Sequence, residues 1–171
     1  MKQSDRIKNP LHTPVLPNEV VSFFNINPNG VYVDGTCGLG GHSKLISKNL
    51  SEDGSLIAID LDQSAVKEAQ LNLKNEIPNI YFENNSYSNL PEILTKLSIN
   101  SVDGILLDLG LSSMQLDSLD RGFSYLTNSN LDMRFNQNSH LNAEKLINSL
   151  SEKDLADIIY KYGEERKSRK I

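Results

Sequence analysis

A chain of 171 residues with 38% hydrophobic and 23% charged side chains can bury a core of its own, which sets it apart from disordered segments. Its formal net charge of −5 argues against a surface coated in nucleic acid, while leaving room for a local basic groove. No apolar run reaches the roughly eighteen residues of a membrane helix, the opening MKQSDRIKNPLHTP lacks a signal-peptide core, and the single cysteine, Cys37, suits a reducing compartment, so a cytoplasmic protein with no membrane partner is expected.

In chain order, Val31-Tyr32-Val33 is a short buried strand, followed by a glycine loop and a helix from Gly41 to Leu50. Ser55 to Ile59 forms a second strand that ends at Asp60. The next helix places Ala65, Val66, Ala69 and Leu73 on one face. Asn79 to Phe82 is a third strand, a helix runs around Pro91 to Leu97, and Val102 to Leu107 is a fourth strand. Strands alternating with helices at this spacing imply right-handed βαβ units and a parallel sheet. Residues 117–140 are polar and turn-rich, and two short helices follow. Asn142 caps the first, Ser151 with Asp154 caps the second, and Gly163 closes it. The expected division is 1–116, an α/β core with the ligand site, and 117–171, a helical unit.

Glycine takes four of the seven positions from Gly35 to Gly41, where backbone must pass close to something. No Gly-Lys-Ser/Thr follows, so a P-loop is excluded. Gly38-x-Gly40 with Ser43 in third place resembles a dinucleotide fingerprint, and Asp60 stands about twenty residues on, where an acid binds ribose hydroxyls. Asp34 would repel a pyrophosphate but suits the ammonium of S-adenosylmethionine, whose carboxylate would lie at the helix N-terminus. Asp34 can equally brace the loop. Asp108 ends the fourth strand across the same crevice, followed by Ser112, Ser113 and Gln115, either as ligand groups or as a helix cap. No cluster of ligand-type side chains points to a metal. An NAD-dependent oxidoreductase stays open on these residues.

Seven blocks narrow the choice: HTPVLPNEVV (12–21), VYVDGTCGLGGHS (31–43), AIDLD (58–62), DGILLDLGLSSMQLD (103–117), RGFSY (121–125), LDMRF (131–135) and YGEER (162–166). Together, and in this order, they resemble the RsmH (MraW) family of bacterial 16S rRNA (cytosine-N4)-methyltransferases. The resemblance implies a Rossmann-like class I methyltransferase sheet with an inserted helical domain, both incomplete here. It implies S-adenosylmethionine as cofactor, a decoding-site cytidine of small-subunit 16S rRNA as substrate, and RNA binding by the helical part. Gly40, Gly41 and His42 match the family's cofactor loop, Asp60 its ribose acid, Tyr87 an aromatic position (usually Phe) beside adenine, and Asp108 and Gln115 the remaining cofactor contacts. Asp34 and Gly38 are further candidates.

Such a reaction needs the cytosine amine held in line with the methyl group and its N–H bonds accepted, without a covalent nucleophile, which leaves Cys37 structural. Asp108, Ser112, Ser113 and Arg134 are the candidates for that positioning. Arg121, Arg134, Arg166, Lys167, Arg169 and Lys170 are candidates for RNA phosphates. Cys37, Met114 and the absence of Gly-Pro before LDMRF depart from the family pattern, and the family continues well beyond residue 171. The expectation is therefore a C-terminally truncated member, relying on a complementary segment or a homodimer partner. The alternative is an inactive cofactor-binding fragment.

Overall fold

The computed structural model describes residues 14–171, Ser113 by its backbone alone; all but the last residue of the opening MKQSDRIKNPLHTP, and the first two of the HTPVLPNEVV block, lie outside that range. The chain divides into two compact units, one ending at Gly110 and the other running Leu111–Ile171. That division falls a few residues before the expected boundary at 116.

The first unit runs α1 (Pro17–Phe24), β1 (Val31–Asp34), α2 (Gly41–Ser47), β2 (Ser55–Asp60), α3 (Gln63–Leu73), β3 (Asn79–Asn84), a 3-10 turn at Tyr87–Asn89, α4 (Leu90–Leu97) and β4 (Gly104–Leu106). The four strands are all parallel in the order β3-β2-β1-β4. This is the Rossmann-like α/β arrangement expected. Side-chain alternation explains how the sheet is sandwiched. Tyr32 and Leu56 point to one face and pack with Ile46 and Leu50. Val33, Ile57 and Ile59 point to the other, against Ile93 of α4. The buried face of α3 is Ala65, Val66, Ala69 and Leu73, the four positions that helical spacing selects.

α2 ends at Ser47 rather than Leu50 and β3 runs on past Phe82 to Asn84, and two further elements differ more from expectation. β4 is shorter than Val102 to Leu107: before it, the Asp103 carboxylate accepts the Val31 N–H at 2.7 Å while its own N–H donates to the Val31 carbonyl, and beyond it the Asp108 N–H donates to the Thr36 hydroxyl rather than to a strand. α1 had no counterpart in the sequence reading; it starts at Pro17 after Leu16 in a left-handed conformation, with no side-chain cap to announce it.

The second unit contains α5 (Ser113–Asp117), α6 (Ala143–Ser149), α7 (Glu152–Gly163) and a 3-10 turn at Ser168–Lys170. Asn142 caps α6 by accepting the Lys145 N–H, and Ser151 caps α7 by accepting that of Asp154. Gly163 does not close α7. The terminal N–H groups reach back to the Ile159 carbonyl, so the left-handed residue is Glu164, at φ 54°, and Gly163 completes the helix.

Candidate functional site

In the order β3-β2-β1-β4 the topological switch lies between β1 and β4, and ligands bind such sheets beyond the carboxyl ends of the strands there. Asp34 ends β1, Asp60 ends β2, and Asp108 follows β4, so the register alone gathers three carboxylates at one end of the sheet.

The glycine loop is tied down from both sides. Gly35 N–H donates to the Leu106 carbonyl and Cys37 N–H to that of Ile59, each at 2.9 Å. A Cβ on Gly35 would stand 2.5 Å from Leu107 and 3.1 Å from Cβ of Tyr87, which brings the predicted aromatic residue against the loop. Gly40, at φ 89°, is backed by Leu73 and Ala69 of α3. Gly38, at φ 51°, faces open space: a Cβ there would meet nothing closer than a carbonyl 4.0 Å away. Close neighbours thus favour glycine at 35 and 40, and the left-handed backbone favours it at 38 and 40.

Asp60 is the hinge of this arrangement. One carboxylate oxygen accepts the Gly38 N–H at 2.9 Å and the other the Asp62 N–H at 2.9 Å. Each oxygen carries a second lone pair, so the residue retains acceptor capacity for hydroxyl donors. Burial raises its pKa, against those backbone hydrogen bonds.

Asp34 is a brace. It is 1% exposed, accepts the Ser43 hydroxyl at 2.6 Å and the Thr36 N–H at 3.3 Å, and is pushed up to about pKa 6 by burial, with Asp60 and Asp108 adding to the rise. The open ammonium site considered from sequence is therefore replaced by an internal link between β1 and α2. Gly41 opens α2, and His42, buried beside it, lies with Nε2 3.7 Å from Oδ2 of Asp108, whose side chain is about half exposed. Cys37 is buried and desolvation raises its thiol pKa well above the ordinary range, which fits a structural role.

Thr36 and Asn72 escaped the sequence reading. Thr36 Oγ1 accepts the Asp108 N–H at 2.7 Å, and Asn72 donates from α3 to the Leu39 carbonyl at 2.9 Å. Neither belongs to a local pattern. Ser43, read as a small residue, instead supplies the hydroxyl that holds Asp34.

Four of the candidates in the second unit are occupied structurally. Ser112 and Gln115 form a reciprocal capping box on α5: Ser112 accepts the Gln115 N–H, and Gln115 Oε1 accepts the Ser112 N–H. Arg134 forks onto Asp132, at 2.6 Å from Nη2 and 2.9 Å from Nε, and also donates to the carbonyls of Gln137 and Ser139. Arg121 is 8% exposed and donates to the carbonyls of Arg134 and Phe135. These two arginines hold the turn-rich segment together, which removes them from the RNA-phosphate set and Arg134 from the positioning set. Among the described residues, no group of ligand-type side chains could hold a metal ion, and no helix is long and apolar enough to cross a membrane.

Residues 9–171 match the MraW methylase family. The chain belongs to that family. It is 51% identical over 160 residues to a Clostridium botulinum (strain Kyoto / Type A2) protein named ribosomal RNA small subunit methyltransferase H, an alignment covering 94% of this chain and 52% of the relative. Proteins of the same name from Caldicellulosiruptor saccharolyticus and Coprothermobacter proteolyticus are 48% and 46% identical, again over 94% of this chain and 52% and 53% of theirs. The chain thus spans about half the length of the curated relatives it matches. A candidate rRNA-methylase of known structure, from Clostridium thermocellum, overlaps 56% of this chain and 50% of its own, at 19% identity and a TM-score of 0.46. Family membership and the parallel order agree with the methyltransferase reading of the sheet.

Proposed function

We propose that this chain carries the S-adenosylmethionine-binding half of a cytoplasmic methyltransferase acting on N4 of a decoding-site cytidine in 16S rRNA of the small ribosomal subunit. The observation that carries this reading is the open turn at Gly38, hooked to Asp60 at 2.9 Å beside the exposed end of β4. A cradle of that form admits a ligand at Gly38, with hydroxyl acceptors in reach on Asp60. Bound there, S-adenosylmethionine supplies an electrophilic methyl group.

The chain's own residues bind and orient. Asp60 accepts hydroxyl protons of a ribose, Tyr87, whose Cβ stands against the loop, offers its ring to an adenine, and Gly40, Gly41 and His42 shape the start of α2. The cytosine amine is a weak nucleophile because its lone pair is delocalised into the ring. The protein must hold it in line and accept its N–H bonds as it pyramidalises. Asp108 is the acceptor we assign to that task, being a half-exposed carboxylate at the end of β4. The target base has to leave its stack to reach it. The names of the relatives and the family match support an rRNA substrate for the whole protein.

The test is tritiated-methyl transfer to small subunits lacking the modification, with the 171-residue chain alone and with the chain plus the C-terminal half of a relative. Label recovered as N4-methylcytidine in the supplemented reaction supports the reading. Label on another atom, or none in either reaction while cofactor binds, contradicts it.

A further inference from the structure

Charge is unevenly spread along this acidic chain. Residues 160–171 hold five of its 17 lysines and arginines but only two of its 22 acids. In the second unit this stretch folds as the end of α7 and the 3-10 turn at Ser168–Lys170, around an open cleft of about 670 Å³ lined by Asp157, Tyr160, Lys161, Glu164 and Arg166. Tyr160 is 60% exposed within it. Of the two acids in the lining, Asp157 is paired with Arg169, whose Nη2 lies 3.3 Å from its carboxylate, and Glu164 is outnumbered by Lys161 and Arg166, so the surplus of cations along 160–171 sets the sign of this surface. Lys161 extends over the ring of Tyr162, with Nζ 5.0 Å from the ring centre, which occupies one face of that tyrosine.

We infer that this cleft is a binding site for single-stranded RNA, with Tyr160 as a stacking platform for one unpaired base and Arg166 and Lys161 for the flanking phosphates. The inference rests on the rRNA substrate proposed above and adds the place and the mode. An exposed aromatic ring beside cations suits an unstacked base, since the faces of bases inside a duplex are already covered. The polyanion supplies the charge that this end of α7 complements.

The experiment is fluorescence anisotropy of the 171-residue chain against a labelled single-stranded RNA and the same sequence as a duplex, over a range of salt concentrations. The single strand should bind more tightly. Tyr160→Ala should weaken it about tenfold without changing the salt slope, and Tyr160→Phe should restore it. Arg166→Ala should weaken binding and reduce the slope by about one. Tyr160 is exposed, and circular dichroism should find its variants folded. Tyr160→Ala within about twofold of wild type, or equal binding of the duplex, would overturn the inference. S-adenosylmethionine binding on the same preparations separates the two claims. RNA held through Tyr160 without any cofactor binding would sink the proposed function and leave this surface standing; cofactor binding with RNA affinity indifferent to Tyr160 would do the reverse.

Discussion

Among the described residues, every buried apolar side chain but Ala156 lies in the unit that ends at Gly110, whereas the unit from Leu111 buries Gln115, Arg121 and Ser168. The first unit is a sheet packed between helices, and its stability comes from apolar area removed from water. The second is assembled from caps, an arginine fork and carbonyls satisfied by guanidinium groups. A hydrogen bond contributes little net free energy when made but costs much when one buried partner is left unpaired. The two units should therefore fail for different reasons and at different pH.

The largest contrast is expected in apolar truncation. Ile57 is fully buried between β1 and β3, so Ile57→Ala should destabilise the first unit by about 3 kcal/mol through lost transfer energy and a cavity. Leu155 of α7 is only partly buried, and Leu155→Ala should cost about 1 kcal/mol. Denaturant titrations that give equal losses would erase the distinction.

Acid titration should separate the units by sign. Asp34 is raised to about 6 by burial, so the folded chain holds that proton more tightly than the unfolded chain, whose aspartates titrate near 3.9. Its contribution to stability falls as pH rises from about 4 to about 6 and is flat above. Asp34→Asn should remove that fall and raise stability at pH 7 by on the order of 2 kcal/mol, since Ser43 can turn its hydroxyl to accept from the amide. A variant less stable than wild type at pH 7 would mean that the ionised brace is favourable.

Asp132 is the opposite and smaller case. The hydrogen bond from Arg134 holds its carboxyl at about 2, so its contribution is present above about pH 4 and is lost as pH falls from there toward 2. The group is near the surface, so screening keeps the effect modest. The backbone of Leu131 and Asp132 accepts the Glu144 and Ala143 N–H groups, and hydrogen exchange at those two amides should quicken in that window. Asp132→Asn should leave exchange there nearly independent of pH stability effects; an unchanged acid response in the variant would assign it elsewhere.

What could be read from sequence follows the range of the interactions. The buried face of α3 and the strand cores were legible because helix and strand periodicities are local. Asp60 and the glycine loop were legible because strand, turn, helix and strand follow in register. Thr36 was not, since its partner is 72 residues away, nor Asn72, 33 residues from Leu39. The same reason hid the structural employment of Arg121 and Arg134, whose side chains satisfy carbonyls in a segment without periodicity. Asp34 depended on burial: a carboxylate at a strand mouth reads alike whether it faces a ligand or a serine. α1 lacked a capping side chain, and α7 placed its left-handed residue on Glu164 although glycine stood one position before.

The proposed cofactor cradle is built from Asp60 and the glycine turn. Isothermal titration calorimetry of the 171-residue chain with S-adenosylmethionine, beside folded Asp60→Ala, tests it most directly. Measurable binding by the wild-type chain, no comparable binding of NAD, and a loss of roughly 1.5–3 kcal/mol in the variant are expected of that cradle, the last being the worth of hydrogen bonds to a charged acceptor. An Asp60→Ala chain that is folded and binds S-adenosylmethionine as tightly as wild type would contradict it.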